Sequence, residues 1–147
     1  MGFALRINFV DVIVGESLHN TYMCGKIDGY IFDIRLSNYR GHYLSVIETF
    51  VLTVDAQPVA KEAITFEING KEFYLHQLPF ATTEFWNVLE PAHIRVRKAG
   101  GLSCGSHHIC LEMMCCIPYL PVPGGDGYMP LDAGGEKTLL IKEAIMP

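Results

Sequence analysis

Hydrophobic and polar positions alternate with a period of two along most of this chain. Phe3, Leu5, Ile7 and Phe9 alternate with Ala4, Arg6 and Asn8, and Tyr30, Phe32, Ile34 and Leu36 interleave with Ile31, Asp33 and Arg35. Such alternation puts one set of side chains on each face of a β-strand. A third, longer strand is predicted over residues 43–55, with Leu44, Val46, Glu48, Phe50, Leu52 and Val54 on one face. Glu48 is the one acid in that apolar series, so either a bulge re-aims it outward or it is buried and paired. Residues 55–58 read as a turn. Asn69-Gly70 then sits between two alternating runs, 64–68 and 71–75, which predicts a hairpin because a type I′ turn needs positive φ at both central residues. Residues 11–20 show no period and read as loop, as do 37–41. Residues 76–90 hold the only tryptophan, Trp86, and leave room for a short helical turn before Pro91.

The stretch around which the chain is organised runs over 92–123. A short alternating strand ends at Lys98, a Gly-rich turn follows over 100–105, and a long strand runs from about His107 to Ile117. Its odd positions, Ile109, Leu111, Met113, Cys115 and Ile117, are all apolar and face a core. Its even positions, His108, Cys110, Glu112, Met114 and Cys116, form a face that is only partly wet. A last strand is predicted over 138–145. Eight or nine strands, punctuated by turns and with no sustained helical period, predict an all-β fold: an antiparallel β-sandwich forming a single domain over 1–147.

Composition adds two points. Half of the residues are hydrophobic and 18% are charged, which fits either a well-filled sandwich or a surface partly covered by a partner. The net charge is −5 and no Lys or Arg lies between Lys98 and Lys137, which excludes a nucleic-acid backbone binder. No apolar run reaches the ~18 residues of a membrane span, and the N-terminus lacks the zones of a signal peptide. Five cysteines, four of them between Cys104 and Cys116, read as reduced thiols in a cytoplasm.

Candidate chemistry is sparse. Cys104, His107, His108 and Cys110 are soft and imidazole ligands, but their spacing departs from the paired pattern of zinc sites, and only His108 and Cys110 share a strand face. Cys115 and Cys116 point to opposite faces and have no basic neighbour to activate a thiolate. Glu48 on an apolar face could serve as an acid or base, or pair with a nearby arginine. Residues 117–135 are rich in Pro and Gly and carry Tyr119, Leu120, Tyr128, Met129 and Leu131. They read as a covered crossover loop or as an arm that packs on another chain. No catalytic set emerges.

Several ordered stretches resemble one family. They are Tyr39-Arg40-Gly41 with Leu44-Ser45-Val46-Ile47-Glu48, Leu52-Thr53-Val54-Asp55, Ile64-Thr65-Phe66, Asn69-Gly70 and Trp86. Glu90-Pro91-Ala92, the run from Val96 to Leu102, Gly105, His107, Tyr119-Leu120-Pro121 and Lys137-Thr138-Leu139 complete the set. The chain resembles the small, or beta, subunit of bacterial C-glycoside deglycosidases. That resemblance implies a β-sandwich bound to a large alpha subunit built as a sugar isomerase-like TIM barrel, in a hetero-oligomer. It implies cleavage of the carbon–carbon bond between sugar and aglycone in a 3-oxo-C-glycoside of flavonoid type. The divalent metal, typically manganese, and the general base are expected on the barrel, so no catalytic residue is carried onto this chain. Partner-interface or active-site-rim candidates are Tyr39, Arg40, Tyr119, Leu120, Tyr128 and Met129. The segment 104–116 is richer in Cys and Met than the family pattern, and the loop 124–135 is longer. Two other function classes fit the residues: a stand-alone carbohydrate-binding sandwich using Trp86 or tyrosines as a stacking platform, and a metalloenzyme using His107, His108 and Cys110.

Overall fold

The computed structural model describes residues 5–6, 10–38, 40–122, 124–125 and 127–142, with the backbone alone at 118 and 119. Two antiparallel sheets face each other. The first has the order β1 (His19–Met23), β2 (Lys26–Ile34), β9 (Ala92–Arg97), β6 (Ile64–Ile68) and β7 (Lys71–Tyr74). The second has the order β11 (Tyr128–Asp132), β10 (Gly105–Pro121), β4 (Ile47–Val54) and β5 (Gln57–Pro58), with β12 (Gly135–Ile141) also paired to β10. A small ladder joins β3 (His42–Tyr43) to β8 (Phe85–Trp86). This is an all-β sandwich, as the alternation predicts. The described strands number twelve, more than expected, because several are two-residue pieces.

The buried faces match the alternation. Ile109, Leu111, Met113, Cys115 and Ile117 of β10 are at most 2% exposed. They meet Tyr30, Phe32 and Ile34 of β2 and Ile94 and Val96 of β9 within one core. Across that core runs an aromatic column. Phe50 meets Phe66 edge-on at 6.2 Å, and Phe66 meets Trp86 at 5.3 Å, which ties the two sheets to β8.

Glu48 takes the bulged alternative. Met114 pairs with Thr49 but Cys115 pairs with Ile47, so Glu48 is the extra residue and its side chain is exposed. A 3₁₀ turn over Leu44–Val46 precedes β4, so the predicted strand starts later than its pattern suggested. Another 3₁₀ turn, Leu75–Phe80, supplies the short helical turn expected before Trp86. The Asn69-Gly70 hairpin forms with φ of 54° and 75°.

Three expectations need correction. The segment read as loop over 11–20 ends inside β1, which pairs with β2 across a Cys24-Gly25 turn. No residue of β1 is fully buried, so the edge strand lacked an apolar face to announce it. The Pro/Gly segment is not a loop: β11 and β12 are one return path along β10 in a constant register, Leu111 opposite Gly135 and Met114 opposite Asp132. Pro130 is accommodated there even though it cannot donate to the ladder. Finally, only Leu5 and Arg6 of the expected first strand lie within the described residues, and Leu5 bridges Leu131 in parallel. Among the described residues, no helix is long and apolar enough to cross a membrane.

Gly134 sits where the return path crosses closest, and a Cβ there would stand 2.3 Å from the Leu111 carbonyl oxygen. Changing Gly134→Ala is expected to cost about 1–3 kcal/mol in urea denaturation.

The start of β10 is held by a charged clip. His107 is 7% exposed, donates one ring N–H to Asp55 Oδ2 (2.6 Å) and the other to the Ser103 carbonyl (2.7 Å). Asp55 Oδ1 also accepts the His108 backbone N–H at 2.9 Å. Burial alone lowers the His107 pKa, but the bonds to Asp55 and Ser103 outweigh it and raise it. The hydrogen bonds from His107 and then His108 lower that of Asp55. The His107 contribution is therefore complete below the ordinary histidine pKa and is lost as pH rises through the raised value. The Asp55 contribution is present above the ordinary carboxylate pKa and is lost as pH falls through the lowered one. Both act between about pH 4 and 6.5. Asp55→Asn is expected to lower stability at pH 6 by about 1 kcal/mol, and by less at pH 9, in paired denaturation curves.

Candidate partner-facing surface

The loop between β2 and β3 carries two of the candidate residues and is rigid for reasons its neighbours make clear. Ser37, Asn38 and His42 are each 4% exposed. The Asn38 amide Nδ2 donates to His42 Nε2 at 2.7 Å. Burial, followed by the charge of Arg40, holds the His42 pKa below its ordinary value, so the ring is neutral and can accept that bond. Asn38 Oδ1 is buried without a hydrogen-bond partner. Gly41 lies flat on β8: a Cβ there would stand 2.4 Å from the Trp86 carbonyl oxygen and 2.7 Å from the Phe85 ring. Only glycine permits that approach.

The loop delivers Tyr43 opposite Phe85, and the two rings meet edge to face at 5.1 Å. Both remain more than 40% exposed. Their support is polar. The Leu44 N–H donates to the Glu84 carbonyl at 2.9 Å. Asn69 Nδ2 donates to Glu84 Oε2 and to the Phe85 carbonyl, and Lys71 pairs with Glu84 at 2.9 Å. The Asn69 bond, then Lys71, keeps the Glu84 carboxyl below the usual range. Trp86 Nε1 donates to the Glu90 carbonyl, which folds the 87–90 turn back over the same end.

Strand β10 leaves the sandwich at this end too, since Ile47 at the start of β4 pairs with Cys115 and β10 continues to Pro121. Its hairpin presents Leu120 and Tyr128, 40% and 49% exposed, with Pro121 opposite Tyr128. Phe80 and Leu89 are exposed as well. Six large apolar side chains thus stand in water at one end of the sandwich, more than scattered surface residues require.

The sequence-based candidates divide accordingly. Arg40, Leu120 and Tyr128 are exposed at this end. Met129 is half-buried and packs on the core, so it supports the hairpin instead of offering a contact. Tyr39 and the side chain of Tyr119 lie outside the described residues. Tyr43, Phe80, Phe85 and Leu89 were not singled out by sequence. For Tyr43 the signal existed: it occupies the outward phase of a strand whose inward positions are apolar.

The other candidate chemistry dissolves. His107 points inward to its clip, while His108 and Cys110 share the outer face of β10. His108 lies 3.3 Å from the Thr138 hydroxyl and 3.8 Å from Glu136. Among the described residues, no three His, Cys, Asp or Glu side chains converge as metal ligands. Burial, then Glu136, raises the Cys110 thiol pKa, and burial pushes Cys115 up to about 12. Burial and Glu48 raise Cys116 as well. These thiols are protonated at neutral pH and are poor nucleophiles. Trp86 is 1% exposed, which removes it as a sugar-stacking platform.

Comparison with known proteins agrees with the surface reading. The profile of the family described as C-glycoside deglycosidase beta subunit matches residues 9–119, which include the β2–β3 loop and the Tyr43–Phe85 pair. A C-glycoside deglycosidase beta subunit from Eubacterium cellulosolvens is 34% identical over 119 residues, covering 81% of this chain and 79% of that protein. A 3'-dehydrocarminate deglycosidase beta subunit from a Microbacterium species is 34% identical over 96 residues, 65% of this chain and 72% of that protein. A profile match over most of the chain, together with these identities, places the chain in the C-glycoside deglycosidase beta-subunit family.

Proposed function

We propose that this chain works as the beta subunit of a complex that cleaves the carbon–carbon bond between sugar and aglycone in a 3-oxo-C-glycoside. The observation that carries the reading is the apolar end of the sandwich, built on a rigid loop in a chain whose relatives are named as subunits. One relative is named for a 3'-dehydro substrate, which supports the oxidised sugar. The partner is a TIM-barrel alpha subunit, in a hetero-oligomer working in the cytoplasm, where five free cysteines stay reduced.

The chemistry belongs to the partner. A ketone at sugar C3 acidifies the proton at C2, and a general base removes it. The electron pair then forms the C1–C2 double bond as the aglycone carbon leaves C1. A divalent metal, manganese in this reading, supplies Lewis acidity at the ketone oxygen. The described residues of this chain offer no donor set for such a metal, so it resides on the barrel. This chain contributes assembly, through Tyr43, Phe85, Arg40, Leu120 and Tyr128.

Co-expression with the product of the adjacent gene, followed by size analysis and an assay on a 3-oxo-C-glycoside, tests the reading. The expected outcome is a stable complex that is active only with both chains present. Exchanging Tyr43→Ser and Phe85→Ser together should weaken association by about tenfold or more, with little change in the Tm of the isolated chain. Turnover by this chain alone, with or without manganese, would place the chemistry elsewhere and sink the proposal.

A further inference from the structure

The sandwich has two lateral openings. One lies between the edge strands β1 and β12, and the other lies beyond β4 and β7. The second is a cleft of about 630 Å³, a size that suits a small organic ligand. Its floor is apolar: Ile47, Phe50, Leu75 and Leu78. Its rim is not. The bulge in β4 sends Glu48 to one side, and Glu62 stands on another. Among the described residues, neither carboxylate has a hydrogen bond or an ion pair.

The third side is a ledge of stacked rings. Tyr74 and His76 lie nearly parallel, 7° apart, with centroids separated by 5.9 Å. The ledge is fixed by its surroundings. Gln77 Oε1 accepts the Tyr74 backbone N–H at 2.8 Å, and the Arg97 guanidinium lies 5.6 Å from the Tyr74 ring centroid. Arg97 also donates to the Glu62 carbonyl, which binds the two sides of the rim together. Tyr74 is 46% exposed and His76 is exposed, so an added ring can join the stack.

We propose that this cleft binds a flat aromatic ring that bears hydroxyl groups. A planar ring extends the Tyr74–His76 stack and lays its apolar face on the floor. Its hydroxyls, at the ring edge, donate to Glu48 and Glu62, which are acceptors only. A sugar ring presents hydroxyls around its whole perimeter and matches the floor poorly. The inference goes beyond the subunit role and stands on the cleft alone.

The test is an NMR titration of the isotope-labelled full chain with resorcinol, cyclohexane-1,3-diol and glucose. Resorcinol is expected to shift the amides of Glu48, Thr49 and residues 75–78 saturably, while the non-aromatic diol and glucose do not. Tyr74→Ala and His76→Ala should each weaken resorcinol binding roughly two- to tenfold, and Tyr74→Phe should restore it. Tyr22→Ala, at the opposite opening, should leave it unchanged. No saturable response overturns the proposal, as does a response located elsewhere. An equal response to the non-aromatic diol, or glucose binding at the same amides, also overturns it. Association with the partner is read separately, so failure here leaves the subunit reading standing, and the converse holds.

Discussion

Strand β10 is the member on which the rest of this fold depends. It is hydrogen-bonded on one side to β4 and on the other to the continuous path of β11 and β12. Its odd side chains fill the core that both sheets share, so a slip of one residue would expose five buried apolar groups at once. Both ends of the strand are consequently well defined. The N-terminal end is clamped by His107 between Asp55 and Ser103, and the C-terminal end runs out into the exposed hairpin.

The two ends have different characters. The clip end is polar and makes its own hydrogen bonds, which suits a closed edge. The hairpin end gathers aromatic and aliphatic side chains that the core does not absorb, around a loop held by Gly41 and the Asn38–His42 pair. A buried Asn38 oxygen without a partner beneath that surface is a local cost that the fold retains. The aromatic column from Phe50 through Phe66 to Trp86 connects the core to this surface, so the Tyr43–Phe85 pair rests on a rigid base.

Much of this was legible in the amino-acid order. The odd face of β10, the inward faces of β2 and β9 and the Asn69-Gly70 turn follow from alternation and turn chemistry alone. β1 was illegible because an edge strand with no buried residue carries no apolar signature. The return strand was illegible because Pro130 and the surrounding glycines imitate a loop, and only the register against β10 shows otherwise. The surface was legible in part. Arg40, Leu120 and Tyr128 were identified, but Phe80, Phe85 and Leu89 come together through the fold of 75–90, which has no period to read. The Cys/His cluster misled because neighbours in sequence point to opposite faces of a strand.

The bulge at Glu48 has a further consequence. Without that residue β4 would read Ile47-Thr49-Phe50, inward, outward, inward, and the ladder against β10 would run unbroken. Glu48 is thus surplus to the sheet: the strand could be one residue shorter and keep every buried position. The architecture does not account for its retention, so the length of this strand is set by what a carboxylate does outside the core.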